Sequence, residues 1–281
     1  MFLDQILTSI IYLFSCFGIF VLGHFAFRFC RKDYNLNEEL IEKDNAALAL
    51  TLSGYYIGLI FCIGGVIEGP SAGLVQDLKD VLIYGVLSII LLNVSAVIND
   101  RFILSKFQIK KEILEDQNCG TGVVEFAVFI ASGLNIFGAV YGHGGSILTA
   151  GVFWAVGQLV LVAAGKYYNF IVQYDMHEHI EKNNIAVGVG FAGAILAVGN
   201  LLRVASANDF VSWEINLGEF AGFLLVGIII LPVARAVTDK VLLPGRSLAS
   251  ELVDQEKPNI GAAYLEACSY VGSSFLISWC V

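Results

Sequence analysis

Eight apolar runs, each about the length of a membrane-spanning helix, account for most of this chain of 281 residues. A helix that crosses a bilayer needs about 20 apolar residues. Hydrophobic residues make up 57% of the chain and charged residues only 15%, which argues against a soluble globular protein and against a nucleic-acid-binding protein. We therefore predict an all-α, multi-pass protein whose main partner is the lipid bilayer. Its eight transmembrane helices cover roughly residues 6–29, 46–67, 81–104, 120–141, 146–172, 185–205, 217–238 and 260–281.

The basic residues predict how these spans cross the membrane. Of the 16 Lys and Arg residues, 14 lie in the loops that join spans 1 and 2, 3 and 4, 5 and 6, and 7 and 8. Loops rich in Lys and Arg remain in the cytoplasm, so both chain termini are predicted to be periplasmic. The outer side carries more acidic than basic residues, which favours cations there. Asp80 and Glu219, at the outer ends of spans 3 and 7, are either an outer cation mouth or ordinary solvated helix starts.

The chain also contains an internal repeat. The segment EKDNA at residues 42–46 recurs as EKNNIA at residues 181–186, and INDR at residues 98–101 recurs as VTDK at residues 237–240. We predict two tandem four-helix repeats, residues 1–142 and residues 143–281. Because each repeat has an even number of spans, both insert the same way up, related by a pseudo-two-fold axis along the membrane normal. Polar residues of spans 4 and 8 are expected to meet near this axis.

Each even-numbered span begins just after an asparagine that follows a charged segment. Such a residue is typical of a helix N-cap, where its side-chain oxygen accepts hydrogen bonds from free backbone N–H groups. In a second interpretation, the four positive helix ends face one vestibule that holds an anion or a carboxylate. The charged segments are predicted to be short amphipathic helices on the cytoplasmic surface. The four asparagines are Asn45, Asn118, Asn184 and Asn259.

These repeated motifs resemble a known family. They are the DN-A start of span 2, the D-[RK]-x-x-L ending of spans 3 and 7, the LLPG after span 7 and the N-x-[GA] start of spans 4 and 8. Together they are similar to the YjfL-like bacterial inner-membrane proteins (domain of unknown function 350), in two copies over nearly the whole chain. Residues 104–106 depart from the pattern, since LSK replaces the expected LPG. The resemblance implies a polytopic inner-membrane protein, often encoded beside PspA-like membrane-stress proteins, with no established activity.

Two glutamates inside spans are the sharpest functional signal. Glu125 and Glu266 each follow a capping asparagine by seven residues, which places acid and amide on one helix face about 10 Å apart. A carboxylate within a membrane costs a few kcal/mol and is kept mostly where it faces a cavity or a partner. Two interpretations stay open: a group that handles protons or cations, or a structural hydrogen bond to a neighbouring helix.

Other polar residues near the spans need partners as well. Asp100 and Asp239 close spans 3 and 7, where a helix C-terminus disfavours an acid. They predict a structural salt bridge, or alternatively a part in transport. Four polar residues within spans, together with the glutamates, predict a polar interior: Asn93, Asn135, Gln158 and Asn200.

The motifs as a whole favour a transporter over an enzyme. The chain has no P-loop, GxSxG, HExxH or Rossmann fingerprint in a suitable context, and its histidines lie too far apart for a shared metal. We predict no catalytic residues, no cofactor and no metal. The leading hypothesis is a channel or transporter for protons or small cations that uses Glu125 and Glu266. The alternative is a scaffold whose acidic cytoplasmic segments recruit a PspA-like protein through Glu38, Glu39, Glu112 and Glu178. The sequence is also compatible with a homo-oligomer.

Overall fold

The computed structural model describes residues 2–69, 71–242 and 245–280. In these ranges the secondary structure is helical, with two short π-helical segments at Glu38–Glu42 and Thr238–Leu242. The α-helices are α1 (Phe2–Cys30), α2 (Ala46–Ile67), α3 (Leu74–Phe102), α4 (Ile109–Leu114), α5 (Cys119–Val140), α6 (Ile147–Ile171), α7 (Met176–Glu181), α8 (Ile185–Ser206), α9 (Trp213–Val237), α10 (Leu248–Val253) and α11 (Ile260–Cys280).

Eight of these helices are long and apolar enough to cross a membrane, which confirms the predicted all-α, eight-span architecture. The odd-numbered spans are α1, α3, α6 and α9, and the even-numbered spans are α2, α5, α8 and α11. Short helical segments precede the even-numbered spans, as predicted: the π-helical Glu38–Glu42, then α4, α7 and α10. We call the end of the bundle that holds the capping asparagines the asparagine end, and the other end the opposite end.

The even-numbered spans form the centre of the molecule. They run parallel and pack side by side in the order α2, α5, α8, α11. Each of α3, α6 and α9 lies against the two even-numbered spans that flank it in this order, and α1 lies against α2 and α3. As a result, α5 and α8 are the most completely buried spans.

The predicted meeting of spans 4 and 8 is wrong. These spans are α5 and α11, and α8 packs between them along the row. Glu125 and Glu266 therefore belong to separate sites on two sides of α8. The physical reason is that packing repeats with every two-span hairpin, so each even-numbered span takes the next one in sequence as its neighbour.

Glycines allow the even-numbered spans to approach each other closely. A Cβ atom built on Gly133 of α5 would lie 2.3 Å from the carbonyl oxygen of Gly58 on α2. A Cβ atom on Gly199 of α8 would lie 2.6 Å from the Cα atom of Ala131 on α5. Side chains larger than hydrogen would force these backbones apart, which is the usual reason for small residues between membrane helices.

Candidate functional site

The four asparagines cap the helices that follow them. The side-chain Oδ1 atoms accept hydrogen bonds from the backbone N–H groups three residues later, at 3.0 Å for Asn45 and Asn118 and at 3.1 Å for Asn184 and Asn259. The first three side chains are also buried and donate through Nδ2 to protein oxygens. This geometry supports the capping interpretation and leaves their amides engaged rather than facing an open vestibule.

An acidic pair lies near the asparagine end of the first repeat. Asp100, in the last turn of α3, and Glu125, in the second turn of α5, have carboxyl groups in hydrogen-bonding contact. Glu125 is only 3% exposed. Two carboxyl groups in contact can hydrogen-bond to each other only when one of them carries a proton, so the pair is a candidate site for binding a proton.

A guanidinium group completes this site. Arg31, just after α1, interacts electrostatically with both carboxyl groups and stacks 4.1 Å from the ring centroid of Phe27. Arg31 also lines a cavity of about 350 Å³ at the asparagine end, together with Tyr34 and Leu36. The acidic pair is thus connected to a solvent-sized space through one cation.

A row of polar side chains lies between α3, α5 and α6, on the side of the acidic pair that faces the opposite end. Asn99, next to Asp100, donates through Nδ2 to Ser132 Oγ at 3.0 Å. Gln158 Nε2 lies 3.5 Å from the same hydroxyl. Three spans therefore place amide and hydroxyl groups at one depth inside the bundle.

The row extends one turn further toward the opposite end. Trp154 of α6 donates through Nε1 to Ser95 Oγ at 2.9 Å. Asn135 of α5 donates through Nδ2 to the carbonyl oxygen of Trp154 at 3.0 Å. Gly157 makes room for this contact, because a Cβ atom there would lie 1.9 Å from Asn135 Oδ1. We call the polar row the set Asp100, Glu125, Asn99, Ser132, Gln158, Ser95, Trp154 and Asn135.

Several oxygen atoms of the polar row have no hydrogen-bond partner among the described residues. They are Oδ1 of Asp100, Oδ1 of Asn99, Oδ1 of Asn135 and Oε1 of Gln158. Burying a polar oxygen without a partner costs about 1–3 kcal/mol, and such groups are commonly satisfied by ordered water. The unused acceptors thus make the row suited to water molecules, protons or a small cation.

A second cavity lies at the opposite end, directly beyond the polar row. It has a volume of about 430 Å³ and is lined by polar side chains that include Asp77, Asp80 and His143. Ala139 and Ala150 also line it, and each is four residues, or about 6 Å along its helix, from Asn135 and Trp154 respectively. The polar row thus spans most of the distance between the two cavities.

The predicted outer pair, Asp80 and Glu219, is not brought together. Asp80 lines the cavity and accepts a hydrogen bond of 2.9 Å from Gln76. Glu219 is exposed on α9 and is not among the residues that line this cavity. Asp77, which accepts a 2.6 Å hydrogen bond from Tyr12, is the acid that accompanies Asp80 there.

Glu266 has a different environment from Glu125. It is completely buried and forms an ion pair with Arg235 of α9. Tyr168 and Tyr270 donate hydrogen bonds of 3.3 Å to the same carboxylate oxygen. Gly190 of α8 leaves space for the acid, since a Cβ atom there would lie 2.4 Å from Glu266 Oε2. Glu266 is therefore charge-compensated inside the protein.

Asp239 does not join Glu266 as Asp100 joins Glu125. Its carboxylate accepts a 2.6 Å hydrogen bond from the backbone N–H of Leu248 and so holds the start of α10. The π-helical segment Thr238–Leu242 inserts extra residues per turn, which rotates Asp239 relative to its counterpart in α3. Asp239 therefore has a local structural contact.

Comparison with known proteins identifies the family of this chain. A family model described as Domain of Unknown Function (DUF350) matches residues 1–140 and again residues 143–281. The chain belongs to the DUF350 family. It is 22% identical over 249 residues to a UPF0719 transmembrane protein of Aquifex aeolicus (strain VF5), a match that covers 87% of this chain and 89% of that protein. No solved structure matches the chain.

The two DUF350 copies differ in ways that the repeat analysis missed. Arg235 forms an ion pair with a buried acid, and Arg31 interacts electrostatically with one, although the sequence marks both only as loop cations. The signal for Arg235 was its position within the predicted span 217–238. Trp154 and Tyr168 carried no signal, because aromatic residues are common in apolar spans.

Proposed function

We propose that this protein moves protons, or small cations, across the membrane along the polar row of the first DUF350 copy. The observation that carries this proposal is the position of the row, which lies between a cavity near one end of the bundle and a cavity near the other. Hydrogen-bond distances of 2.9–3.5 Å within the row leave no wide opening. Protons are therefore the species that the geometry favours.

The depth of the row fits a path across a bilayer. Along α5, Glu125 precedes Ser132 by seven residues and Asn135 by ten, which correspond to about 10 Å and about 15 Å. The cavity-lining Ala139 adds another 6 Å or so. These groups thus cover about 21 Å of a hydrocarbon core that is about 30 Å thick.

The acidic pair would act as the proton-binding station. Asp100 and Glu125 hold a proton between two carboxyl groups, and Arg31 offers positive charge on the side of the cavity at the asparagine end. A proton arriving along the amide and hydroxyl groups would displace the one already held. Intramembrane acids in such chains are the usual relays of pumps and transporters.

The distribution of basic residues gives the orientation that we propose. The asparagine end carries 14 of the 16 Lys and Arg residues and would face the cytoplasm of a bacterial inner membrane. The cavity with Asp77 and Asp80 would open to the periplasm, as would both chain termini. Its acids would attract cations to the outer end of the polar row.

The scaffold hypothesis receives less support from the geometry. Glu39 and Glu112, two of the acids expected to recruit a peripheral protein, are 5% and 4% exposed. Their carboxylates accept hydrogen bonds from Asn45 and Asn118, at 3.3 Å and 2.7 Å respectively. These acids are used within the bundle. Neither function calls for a catalytic reaction, so we propose that the protein is not an enzyme.

The test is proton flux into liposomes that contain the purified protein under a pH gradient. Wild type should exceed empty liposomes, and Glu125→Gln should fall to the empty-liposome rate. Glu219→Gln is the matched control, because Glu219 is an exposed acid on another span, and it should keep the wild-type rate. Absence of wild-type flux, or full flux in Glu125→Gln, would contradict the proposal.

A further inference from the structure

The contacts between neighbouring even-numbered spans follow one pattern. We number each span from its capping asparagine, so that position 2 is two residues after it. Position 2 of one span meets position 4 of the next, as in Ala47 with Gly122 and Gly120 with Gly188. Position 13 meets position 15 in the same way, as in Gly58 with Gly133 and Ala131 with Gly199.

Two further positions obey the same register. Position 9 meets position 8, since Cβ atoms on Gly54 and Gly193 would lie 2.4 Å and 2.3 Å from the Cα atoms of Phe126 and Ala267. Position 20 meets position 19, as in Gly65 with Phe137. Each span therefore has a leading face (positions 2, 9, 13 and 20) and a different trailing face (positions 4, 8, 15 and 19). An interface between two different faces is head-to-tail, and it does not close on itself as a two-fold contact does.

A hydrogen bond repeats with the same direction. The Nδ2 group of each capping asparagine donates to a carbonyl oxygen in the short helix of the next hairpin. Asn45 donates to Ile113 at 2.8 Å, Asn118 to Ile180 at 2.8 Å and Asn184 to Leu252 at 2.9 Å. This second, polar contact shows that the series of hairpins has a defined order and direction.

The series stops at α11 with its leading face unfilled. That face consists of Gly261, Cys268, Gly272 and Trp279, of which Gly261, Cys268 and Trp279 are exposed. A Cβ atom on Gly272 would meet no described atom within 4 Å, apart from those of α11 itself. Asn259 is exposed, and within the described residues its amide donates to Glu251 of its own hairpin. The face keeps small residues at positions 2, 9 and 13, with Trp279 at position 20, and no helix among the described residues packs on it.

The trailing face of α2 is unfilled in a complementary way. Ala49, Ser53 and Ile60 occupy positions 4, 8 and 15, and all three are exposed. Lipid covers any apolar face, but contacts built on small residues are characteristic of helix pairs rather than of lipid-facing surfaces. The two ends of the chain thus present the two halves of an interface that resembles the interior ones at positions 4 and 8, with Ile60 in place of the small residue at position 15.

We infer that copies of this chain assemble head-to-tail, with α11 of one copy packed against α2 of the next. The occupant of each unfilled face is a second copy, because that copy carries the matching face in the same register and the same orientation. Asn259 would then reach the short helical segment Glu38–Glu42 of the next copy, as Asn184 reaches α10. Such an assembly forms a ring if its rotation closes and an open row if it does not.

The register predicts one specific pair of residues across this contact. Position 9 of α11 is Cys268, and position 8 of α2 is Ser53. Inside the chain the same positions bring two helix backbones into direct contact, and cysteines can bridge two helices only where their Cα atoms lie within about 7 Å of each other. We therefore test Ser53→Cys in protein whose cysteines other than Cys268 are alanine. Oxidation in membranes should produce dimers and larger cross-linked species.

The controls distinguish this arrangement from chance contact and from two-fold pairing. Leu225→Cys places a thiol on an exposed position of α9 and should give at least tenfold less cross-linking. Protein with Cys268 alone should give none. Cross-linking of Cys268 to itself would show a symmetric contact and overturn the inference, as would equal cross-linking of Ser53→Cys and Leu225→Cys.

A second measurement does not depend on thiols. Gly272→Phe should reduce the particle mass in detergent or nanodiscs to that of one chain, because the phenylalanine side chain would block the leading face of α11. Gly218→Phe is the matched control, since Gly218 also has open space around its Cβ direction, and it should keep the wild-type mass. A wild-type particle that contains one chain at every concentration would overturn the inference. This outcome is independent of proton flux.

Discussion

Arg235 of α9 forms an ion pair with Glu266 of α11, whereas the residue 139 positions earlier, Ala96, carries no charge. The corresponding intramembrane acids of the two copies therefore have different neighbours. In the second copy the acid has its own cation and two tyrosine hydroxyls. In the first copy it has another acid, Asp100, as its neighbour.

Removing Arg235 should destabilise the protein strongly. Arg235→Met leaves Glu266 buried without its counter-charge, which typically costs about 3–5 kcal/mol. The double variant Arg235→Met/Glu266→Gln should recover more than half of this loss, because neither charge then remains. Thermal unfolding in detergent measures both. Equal melting temperatures for wild type and Arg235→Met would contradict the structural role of the pair.

The capping asparagines should differ in their contribution to stability. Asn118→Ala removes a helix cap worth about 1 kcal/mol and also takes a hydrogen bond from the buried Glu112 carboxylate, which adds about 1–3 kcal/mol. In a single, unassembled chain Asn259→Ala should cost only the cap, because there Asn259 is exposed and donates to its own hairpin. Chemical unfolding of the two variants side by side tests the difference, and equal losses would count against it.

Close approach of α2 and α5 should make Gly133 intolerant of any side chain. Gly133→Ala places a methyl group 2.3 Å from the Gly58 carbonyl oxygen, and overpacking of this kind costs about 1–3 kcal/mol. Gly151→Ala is the control, since a Cβ atom there meets nothing within 4 Å. The expected result is a lower melting temperature for Gly133→Ala alone. A neutral Gly133→Ala would mean that the two spans are further apart.

The loop contact between Lys106 and Asp175 should make stability depend on acid pH. The hydrogen bond from the Lys106 ammonium group lowers the pKa of Asp175 below its ordinary value of 3.8. A carboxyl group whose pKa is lower in the folded state stabilises that state above its unfolded pKa, and the contribution is lost as pH falls through the folded pKa. Asp175→Asn and Lys106→Met should therefore show a smaller loss of melting temperature than wild type between about pH 5 and about pH 3. A wild-type pH profile in both variants would contradict this.

Hydropathy and helix capping made much of the fold predictable. The eight spans follow from the length of the apolar runs. The asparagines predict the start of each even-numbered span, because a capping hydrogen bond joins residues that are close in sequence. The neighbours of each span were not predictable in the same way. The repeat alone did not show that α8 separates Glu125 from Glu266, because tertiary order depends on which faces of parallel helices carry small residues.

The chemistry of the site was predictable only in part. Glu125 and Gln158 stood out as polar residues inside spans, yet the contacts of Gln158 and Asn99 with Ser132 depend on the rotation of three helices. The divergence of Asp239 from Asp100 depends on the π-helical segment Thr238–Leu242, which leaves no clear mark in the sequence. Which side chains contact each of these polar residues therefore follows only from the three-dimensional structure.

The most direct test of the account compares proton flux in variants of the two copies at matched reconstitution. Glu125→Gln and Asp100→Asn, in the first copy, should each abolish flux into liposomes under a pH gradient. Glu266→Gln, in folded protein, should retain at least half of the wild-type rate, because its acid is an internal ion-pair partner. Loss of flux in Glu266→Gln with full flux in Glu125→Gln would contradict the assignment of the polar row as the path.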